Sequence, residues 1–327
     1  MIEFFNVNKV YPNGNVGIRN MNLTINDGEC TVFIGPSGSG KTTALKMINR
    51  LENTSSGEIR IFDKNILDYR INELRWDMGY VLQQVALFPH MNVEENISIV
   101  PELKKWKKGK IDSRTDELLD MVGLNPKEYR KRRPSELSGG EAQRIGIVRA
   151  LAADPKFILM DEPFSALDPV TRTGLQNDIK KLQEKIHKTV VFVTHDIDEA
   201  FFLGDKICII KDGELVQCGT REDLTDNPVN NFVREFISLG IKSSHEKTIK
   251  NIVNRGFFEE IPLEHQNAAY NPEDVTVTLN ISDNINNLFR ILEQKEYVVI
   301  ADERKRKIII RRSHIFSYLR EDGDADG

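Results

Sequence analysis

The run GPSGSGKT at residues 35–42 constrains this chain more tightly than any other stretch, because its glycines, lysine and threonine together suit the wrapping of a phosphate. Gly35, Gly38 and Gly40 allow positive φ and close backbone approach, so successive N–H groups can turn inward on an anion. Pro36, Ser37 and Ser39 complete the loop. Lys41 can reach the outer phosphates of a nucleoside triphosphate, and the Thr42 hydroxyl can ligate Mg²⁺, with Thr43 following it into the next element. The flanks agree: TVFI (31–34) is apolar throughout, as in a short buried strand, and TTALKMINRL (42–51) reads as a helix. That helix would place its positive dipole end on the anion.

With 327 residues the chain has room for one domain of about 240 residues and a smaller one. A formal net charge of −5 argues against broad nucleic-acid binding, which needs a basic face. Cys30, Cys208 and Cys218 have no metal-ligand spacing and sit in apolar, strand-like surroundings, so reduced core thiols are expected. No apolar stretch reaches the length of a membrane span, and MIEFFNVNKV lacks a signal pattern. The expectation is a chain soluble by itself that can still dock on a membrane partner.

Along the chain, IEFFNVNKVY and VGIRNMNLTI predict two antiparallel strands around the PNGN turn at 12–15. IRIF (59–62) and MGYVLQ (78–83) add strands, and the pattern is helical over 93–152. A helix is expected over 112–124 with Asp112 as N-cap and Gly123 near its end. FILMDEP (157–163) and TVVFVTH (189–195) read as buried strands around an amphipathic helix at 173–186. Apolar strands alternating with helices indicate an α/β fold, a parallel sheet covered on both faces. The alternation gives way at about residue 240 to the polar IKSSHEKTIKN, which sets the first domain at 1–240. Beyond it, VTVTL (275–279), DNINNLFRILEQ (283–294), YVVIA (297–301), KIIIR (307–311) and SHIFSYL (313–319) spell β, α, β, β, α, giving a domain at 241–320. The acidic tail 321–327 is expected to be disordered.

A phosphate-binding loop alone leaves many activities open, and the remaining motifs narrow them. LSGGEAQR (137–144) offers Ser138, Gly139 and Gly140 ahead of a helix, a second anion-binding arrangement. One nucleotide in one subunit has little use for both elements, whereas two head-to-tail copies could each close the second element over the other's nucleotide, so a homodimer is expected. Asp161 and Glu162 stand at the carboxyl end of a buried strand, where open α/β sheets bind ligands. Asp161 can hold Mg²⁺ through water and Glu162 can polarise an attacking water. His195 ends the next strand and can orient that water. Gln83, beside Gln84, is a strand-end amide able to contact both Mg²⁺ and the water.

Taken together, Tyr11, GPSGSGKT, Gln83, LSGGE, FILMDE, SALD (165–168) and His195 resemble the motif series of ABC transporter ATPases over residues 1 to about 240. The resemblance implies a P-loop α/β core with an antiparallel β subdomain and a helical subdomain. It implies Tyr11 stacked on the adenine of ATP, Ser138 and Gly140 completing the site across a dimer, and Asp168 linking the two sites. Glu141 stands where many importers of the family have glutamine.

LQQVALFPHMNVEENI (82–97), FSALDPVTR (164–172) and NPVNNFVREFI (227–237) are similar to the ATPases of glycine betaine, carnitine and choline importers. This implies two transmembrane permease subunits with a fused or separate substrate-binding domain, and a place on the cytoplasmic face of a bacterial membrane. Ergothioneine or bile-related solutes are the alternative cargo; a soluble ABC ATPase acting on DNA or ribosomes is the alternative class, and an exporter is disfavoured by the importer-like strings. The C-terminal order resembles one CBS module, although family members commonly carry two and the 241–274 stretch is too short for another. Of two basic runs, KKWKKGK (104–110) reads as a solvated turn, and RKRK (304–307) with Arg311 and Arg312 as a patch able to sense ionic strength at lipid head groups.

Overall fold

The structure, a computed structural model, describes residues 1–186, 188–246, 249–260, 279–281, 283, 285–301 and 307–323. The chain divides into two compact units, one of residues 1–167 and 175–240, the other of residues 168–174 and 241–327.

In the first unit, β1 (Ile2–Val10) and β2 (Val16–Ile25) pair antiparallel around the turn at 11–15. β3 (Cys30–Ile34) and α1 (Lys41–Ile48) flank the glycine-rich loop. β4 (Ser56–Ile61) and β5 (Lys64–Asn65) complete a four-stranded antiparallel sheet in the order β2-β1-β4-β5. After α2 (Ile71–Trp76) and β6 (Met78–Val81) comes a run of helices: α3 (Val93–Leu103), α4 (Lys108–Met121), α5 (Pro126–Tyr129) and α6 (Gly139–Leu151). The chain then alternates through β7 (Phe157–Asp161), α7 (Pro169–Ile186), β8 (Thr189–Val193) and α8 (Ile197–Leu203). The hairpin β9 (Lys206–Lys211) and β10 (Glu214–Gly219), α9 (Arg221–Asp226) and α10 (Asn231–Glu246) follow.

The second sheet has the order β10-β9-β3-β8-β7-β6, parallel except for the edge strand β10. Every residue of β3, β7 and β8 is buried, as central parallel strands with both faces covered require. α1 contributes Ala44, Leu45, Met47 and Ile48 to a core that also takes Ile2, Phe4 and Met21 from the antiparallel sheet and Phe33, Phe157 and Val191 from the parallel one. Wedged between two sheets, the helix after the glycine-rich loop cannot shift without opening that core, where each buried large aliphatic side chain contributes about 1.5–3 kcal/mol.

Several boundaries differ from the sequence reading. α4 begins at Lys108, with Lys107 rather than Asp112 at its N-cap position, because Ile111 is buried and carries the apolar stripe a turn further upstream. Lys108 to Lys110 are thus helical, and Lys110 stacks over Trp106 at 3.6 Å. α7 starts at Pro169 instead of 173, proline being well suited to a helix's first turn. β6 stops at Val81 and leaves Gln83 beyond the strand. α10 continues to Glu246, while the division between the two units falls after Gly240, where the composition turns polar. The β9–β10 hairpin, absent from the sequence reading, sets Cys208 opposite Cys218, and the two are joined as a disulfide with a Cα–Cα distance of 4.1 Å. The expectation of three reduced thiols is corrected to one, Cys30.

The second unit contains α11 (Ile249–Asn254), β11 (Glu259–Glu260), α12 (Ile285–Gln294), β12 (Tyr297–Ala301), β13 (Lys307–Arg311) and α13 (Arg312–Gly323). Its sheet has the order β11-β13-β12. Val298 and Ile300 of β12 and Ile308 and Ile310 of β13 alternate onto one face, over Ile249, Leu288, Leu292 and Ile315. The strand expected at 275–279 and the basic run at 304–307 fall largely outside the described residues, whereas Arg311 pairs with Glu259 at 3.1 Å. α13 extends to Gly323, so the acidic tail begins inside a helix. Among the described residues, no helix is long and apolar enough to cross a membrane.

Candidate functional site

The glycine-rich loop leaves β3 at Ile34 and enters α1 at Lys41. Gly35 has φ 151°, and a Cβ there would lie 1.9 Å from the carbonyl oxygen of Ile210 in β9. Gly40, at φ 104°, occupies the N-cap position of α1 and has no side chain with which to cap it. The first-turn N–H groups therefore lack a side-chain acceptor and are available to an external anion. Pro36, Ser37 and Gly38 are exposed at the loop tip, while Ser39 and Lys41 are buried. Ser39 Oγ is buried without a hydrogen-bond partner among the described residues. Lys41 Nζ donates to the carbonyls of Gly35 and Pro36, at 2.8 and 2.9 Å. Burial lowers the Lys41 pKa below the ordinary lysine value, with the charges of Glu162 and Asp161 pulling the other way. Among the described residues, a buried hydroxyl without a partner, N–H groups without a side-chain cap and a lysine bonded to its own loop's carbonyls fit a bound phosphate chain. Tyr11 joins this end of α1, its hydroxyl 2.9 Å from Thr43 Oγ1 and its ring 5.0 Å from Lys9 Nζ.

Parallel pairing of β7 with β8 matches Asp161 to Val193, so the two strands end side by side. Asp161 is buried. Its Oδ1 accepts from Thr42 Oγ1 at 2.7 Å and its Oδ2 from the Tyr80 hydroxyl at 3.4 Å. Burial first, then the charge of Asp161 and the hydrogen bond to it, push the Tyr80 phenol pKa above the usual tyrosine range. Glu162 adopts φ 43°, the left-handed region, which carries a strain on the order of 1–3 kcal/mol for a residue with a side chain. The strain is held in place because the Glu162 N–H donates to the Val193 carbonyl at 3.0 Å. The turn swings the Glu162 carboxylate to within 3.2 Å of His195 Nδ1. A carboxylate can only accept, so the proton in this contact is on Nδ1. His195 is 62 % exposed and Glu162 21 %.

Other expected residues are arranged differently. Gln83 is exposed and makes no hydrogen bond among the described residues. Asp168 caps its own helix, Oδ1 accepting from the Val170 and Thr171 N–H groups at 3.1 and 3.0 Å. Ser138 caps α6 in a reciprocal box: its Oγ accepts from Glu141 N–H at 3.3 Å and Glu141 Oε2 accepts from Ser138 N–H at 2.7 Å. Ser138 and Gly139 are exposed, and no hydrogen bond joins residues 138–140 to 35–43 among the described residues. Tyr129 donates to Glu141, and Arg132 stands 4.0 Å from it. Burial works to raise the Glu141 carboxyl, but the bonds from Tyr129 and Ser138 and the Arg132 charge hold it below the usual range. Sequence reasoning missed Tyr80 and Tyr129; a tyrosine in the otherwise apolar MGYV strand was the available signal for the first.

The ABC transporter family model matches residues 18–165. The choline transport ATP-binding protein OpuBA of Bacillus subtilis is 55% identical over 237 residues, 72% of this chain and 62% of its own length. The glycine betaine uptake system ATP-binding protein YehX of Escherichia coli is 45% identical over 258 residues, 78% of this chain and 83% of its own. The dimeric post-hydrolysis structure of the ATP-binding cassette MJ0796, bound to ADP and Pi, is 37% identical with a TM-score of 0.61, covering 67% of this chain and 98% of that one. The chain thus spans less than two thirds of the length of some of its relatives, OpuBA among them. With the phosphate-type loop, the Asp161–Glu162 strand end, the family match over residues 18–165 and these relatives in agreement, the chain belongs to the ABC transporter ATP-binding protein family.

Proposed function

We propose that this chain is the ATP-hydrolysing subunit of an ABC importer for a quaternary ammonium solute such as glycine betaine, carnitine or choline. The observation that carries the hydrolytic part is the convergence of Lys41, the Thr42–Asp161 pair and the Glu162–His195 pair at the adjacent ends of β3, β7 and β8. In this reading Lys41 exchanges its loop carbonyls for the phosphates, with the N–H groups from Gly38 to Thr43 and the Ser39 hydroxyl around them. Tyr11 lies against the adenine. Thr42 and Asp161, hard oxygen donors 2.7 Å apart, would hold Mg²⁺ together with Gln83, and the ion would neutralise phosphate charge when bound. Glu162 accepts the proton of the attacking water, and His195, its ring held by Glu162, orients that water on the terminal phosphate.

Ser138, Gly139 and Gly140 would close on the nucleotide of a second copy, with Asp168 at the interface between the copies. The dimeric, nucleotide-bound cassette among the similar structures supports this arrangement. Closure and reopening of the dimer would move two membrane permease subunits, and the chain would sit peripherally on the cytoplasmic face. The solute class rests on the relatives named for choline transport and glycine betaine uptake. The second unit is read as a single CBS-like module with a regulatory or dimerising role.

The test is uptake of labelled choline, carnitine and glycine betaine in the host with and without this gene, alongside copurification. Loss of uptake of at least one solute and recovery of an integral membrane partner are expected. Unchanged uptake of all three would reject the solute class, and a nucleic-acid-associated partner in place of a permease would reject the transporter.

A further inference from the structure

His195 stands on the short connection between β8 and α8, and its own side chain is mostly exposed, so something other than burial must hold it against Glu162. The residues on either side are pinned. The Thr194 N–H donates to the Phe33 carbonyl at 3.1 Å, which ties the turn to β3. The Thr194 hydroxyl accepts from the Asp196 N–H at 3.0 Å and donates to Glu199 Oε2 at 2.5 Å. Asp196 caps α8, its Oδ1 accepting from the N–H groups of Asp198 and Glu199. Glu199 itself is 5 % exposed, and its second oxygen accepts from Gln176 Nε2 of α7 at 3.1 Å.

A carboxylate removed from water is costly unless donors satisfy it, and an apolar side chain of similar size would fill the same space more cheaply. Glu199 is therefore distinguished from a leucine or methionine at this place by its charge and its directional bonds. Of the bonds described for it, one reaches Thr194, the residue before the histidine, and another joins the carboxylate to Gln176 of α7, so the carboxylate links the turn that carries His195 to that helix.

We propose that Glu199 is a positioning residue for hydrolysis, its buried carboxylate bridging Gln176 and Thr194 so that the 194–196 turn presents the His195 imidazole to Glu162. The histidine's turn is thereby tied to α7, the helix that follows SALD. The proposal rests on the reading of Glu162 and His195 as the hydrolytic pair.

The test uses the full chain with the substitutions Thr194→Val, Thr194→Ser and Glu199→Gln, each close in shape to the native residue, in wild-type and His195→Ala backgrounds. Steady-state kcat and KM for ATP, the Kd of a fluorescent ATP analogue and the Tm are measured. Thr194→Val and Glu199→Gln are expected to lower kcat by about 10- to 100-fold, the scale of a slightly misplaced catalytic group, with KM and Kd within about two-fold. Thr194→Ser, which keeps the hydroxyl, is expected to restore kcat. In the His195→Ala background neither substitution is expected to lower kcat further, because groups acting through one residue are not additive. Equal losses in both backgrounds, or a lowered Tm with kcat unchanged, would make Glu199 structural and overturn the proposal. A wild-type chain that binds ATP and hydrolyses none would instead overturn the reading of Glu162 and His195, and the proposal with it.

Discussion

His195 Nδ1 lies 3.2 Å from Glu162 Oε2, although 33 positions separate the two residues in the chain. The contact exists because β7 and β8 are parallel neighbours in matched register, and because the positive φ of Glu162 turns its carboxylate out of the strand toward the adjacent strand end. If this pair performs hydrolysis, Glu162→Gln is expected to leave ATP affinity within about three-fold while slowing phosphate release by about 100-fold or more, on the usual scale for a lost general base. Single-turnover phosphate release reads this directly, and rapid release from the variant would remove Glu162 from the role.

Lys41 is bonded only to carbonyls of its own loop in the hydrogen bonds described for it, so an arriving phosphate gives it a stronger, charge-assisted partner. Lys41→Met is expected to weaken binding of an ATP analogue by about 10-fold or more, consistent with losing a hydrogen-bonded charge pair. Titration of a fluorescent analogue measures it, and native affinity in the variant would contradict the assignment.

Two glycines of the loop are expected to respond differently to alanine. At Gly35 a Cβ would collide with the Ile210 carbonyl, so Gly35→Ala is expected to cost more than about 2 kcal/mol of stability. At Gly38, φ is 76° but no atom lies within 4 Å of the added Cβ, so the loss there is expected to stay near 1 kcal/mol, the conformational strain alone. Urea unfolding of the two variants separates the cases; equal losses would mean that the contact with β9 is not what holds the loop.

Glu141, whose carboxyl is held below its ordinary pKa, contributes stability that is fully present above the unfolded carboxylate value and disappears as the pH falls through the lowered folded value. Glu141→Gln keeps an acceptor for Ser138 N–H but loses the charge facing Arg132. The wild type is expected to be the more stable by less than about 1 kcal/mol at pH 7, since the group is partly exposed, and the gap is expected to close in acid. Thermal melts of both proteins at pH 7 and below pH 4 check this, and a gap that widens in acid would reverse the sign.

The Cys30 thiol is pushed up to about 12, chiefly by burial and then by the charge of Asp205. Only about one such thiol in ten thousand is ionised at pH 8, and the thiolate is the reactive species. Iodoacetamide followed by peptide mass spectrometry is expected to leave Cys30 unlabelled in the native protein and labelled in guanidinium. Rapid native labelling would show that β3 opens.

The sequence by itself determined the elements whose requirements are local. Three glycines, a lysine and a threonine between an apolar run and a helical one define a phosphate loop wherever they fold, and FILMDE places two carboxylates at a strand end through strand periodicity alone. The last four elements of the β, α, β, β, α order read for the second unit were equally legible, because YVVIA and KIIIR are strand-length apolar runs bounded by polar residues. What only the tertiary structure decided depends on which strands become neighbours. β8 lies between β3 and β7, and that order, set by packing among residues distant in sequence, brings Thr42 to Asp161 and His195 to Glu162. The same holds for the left-handed turn at Glu162, the facing of Cys208 and Cys218 and the burial of Glu199 between Thr194 and Gln176. None has a signature in the chain, because a hydrogen-bond partner far away in sequence leaves no trace in local periodicity and acquires its distance only when the sheet closes.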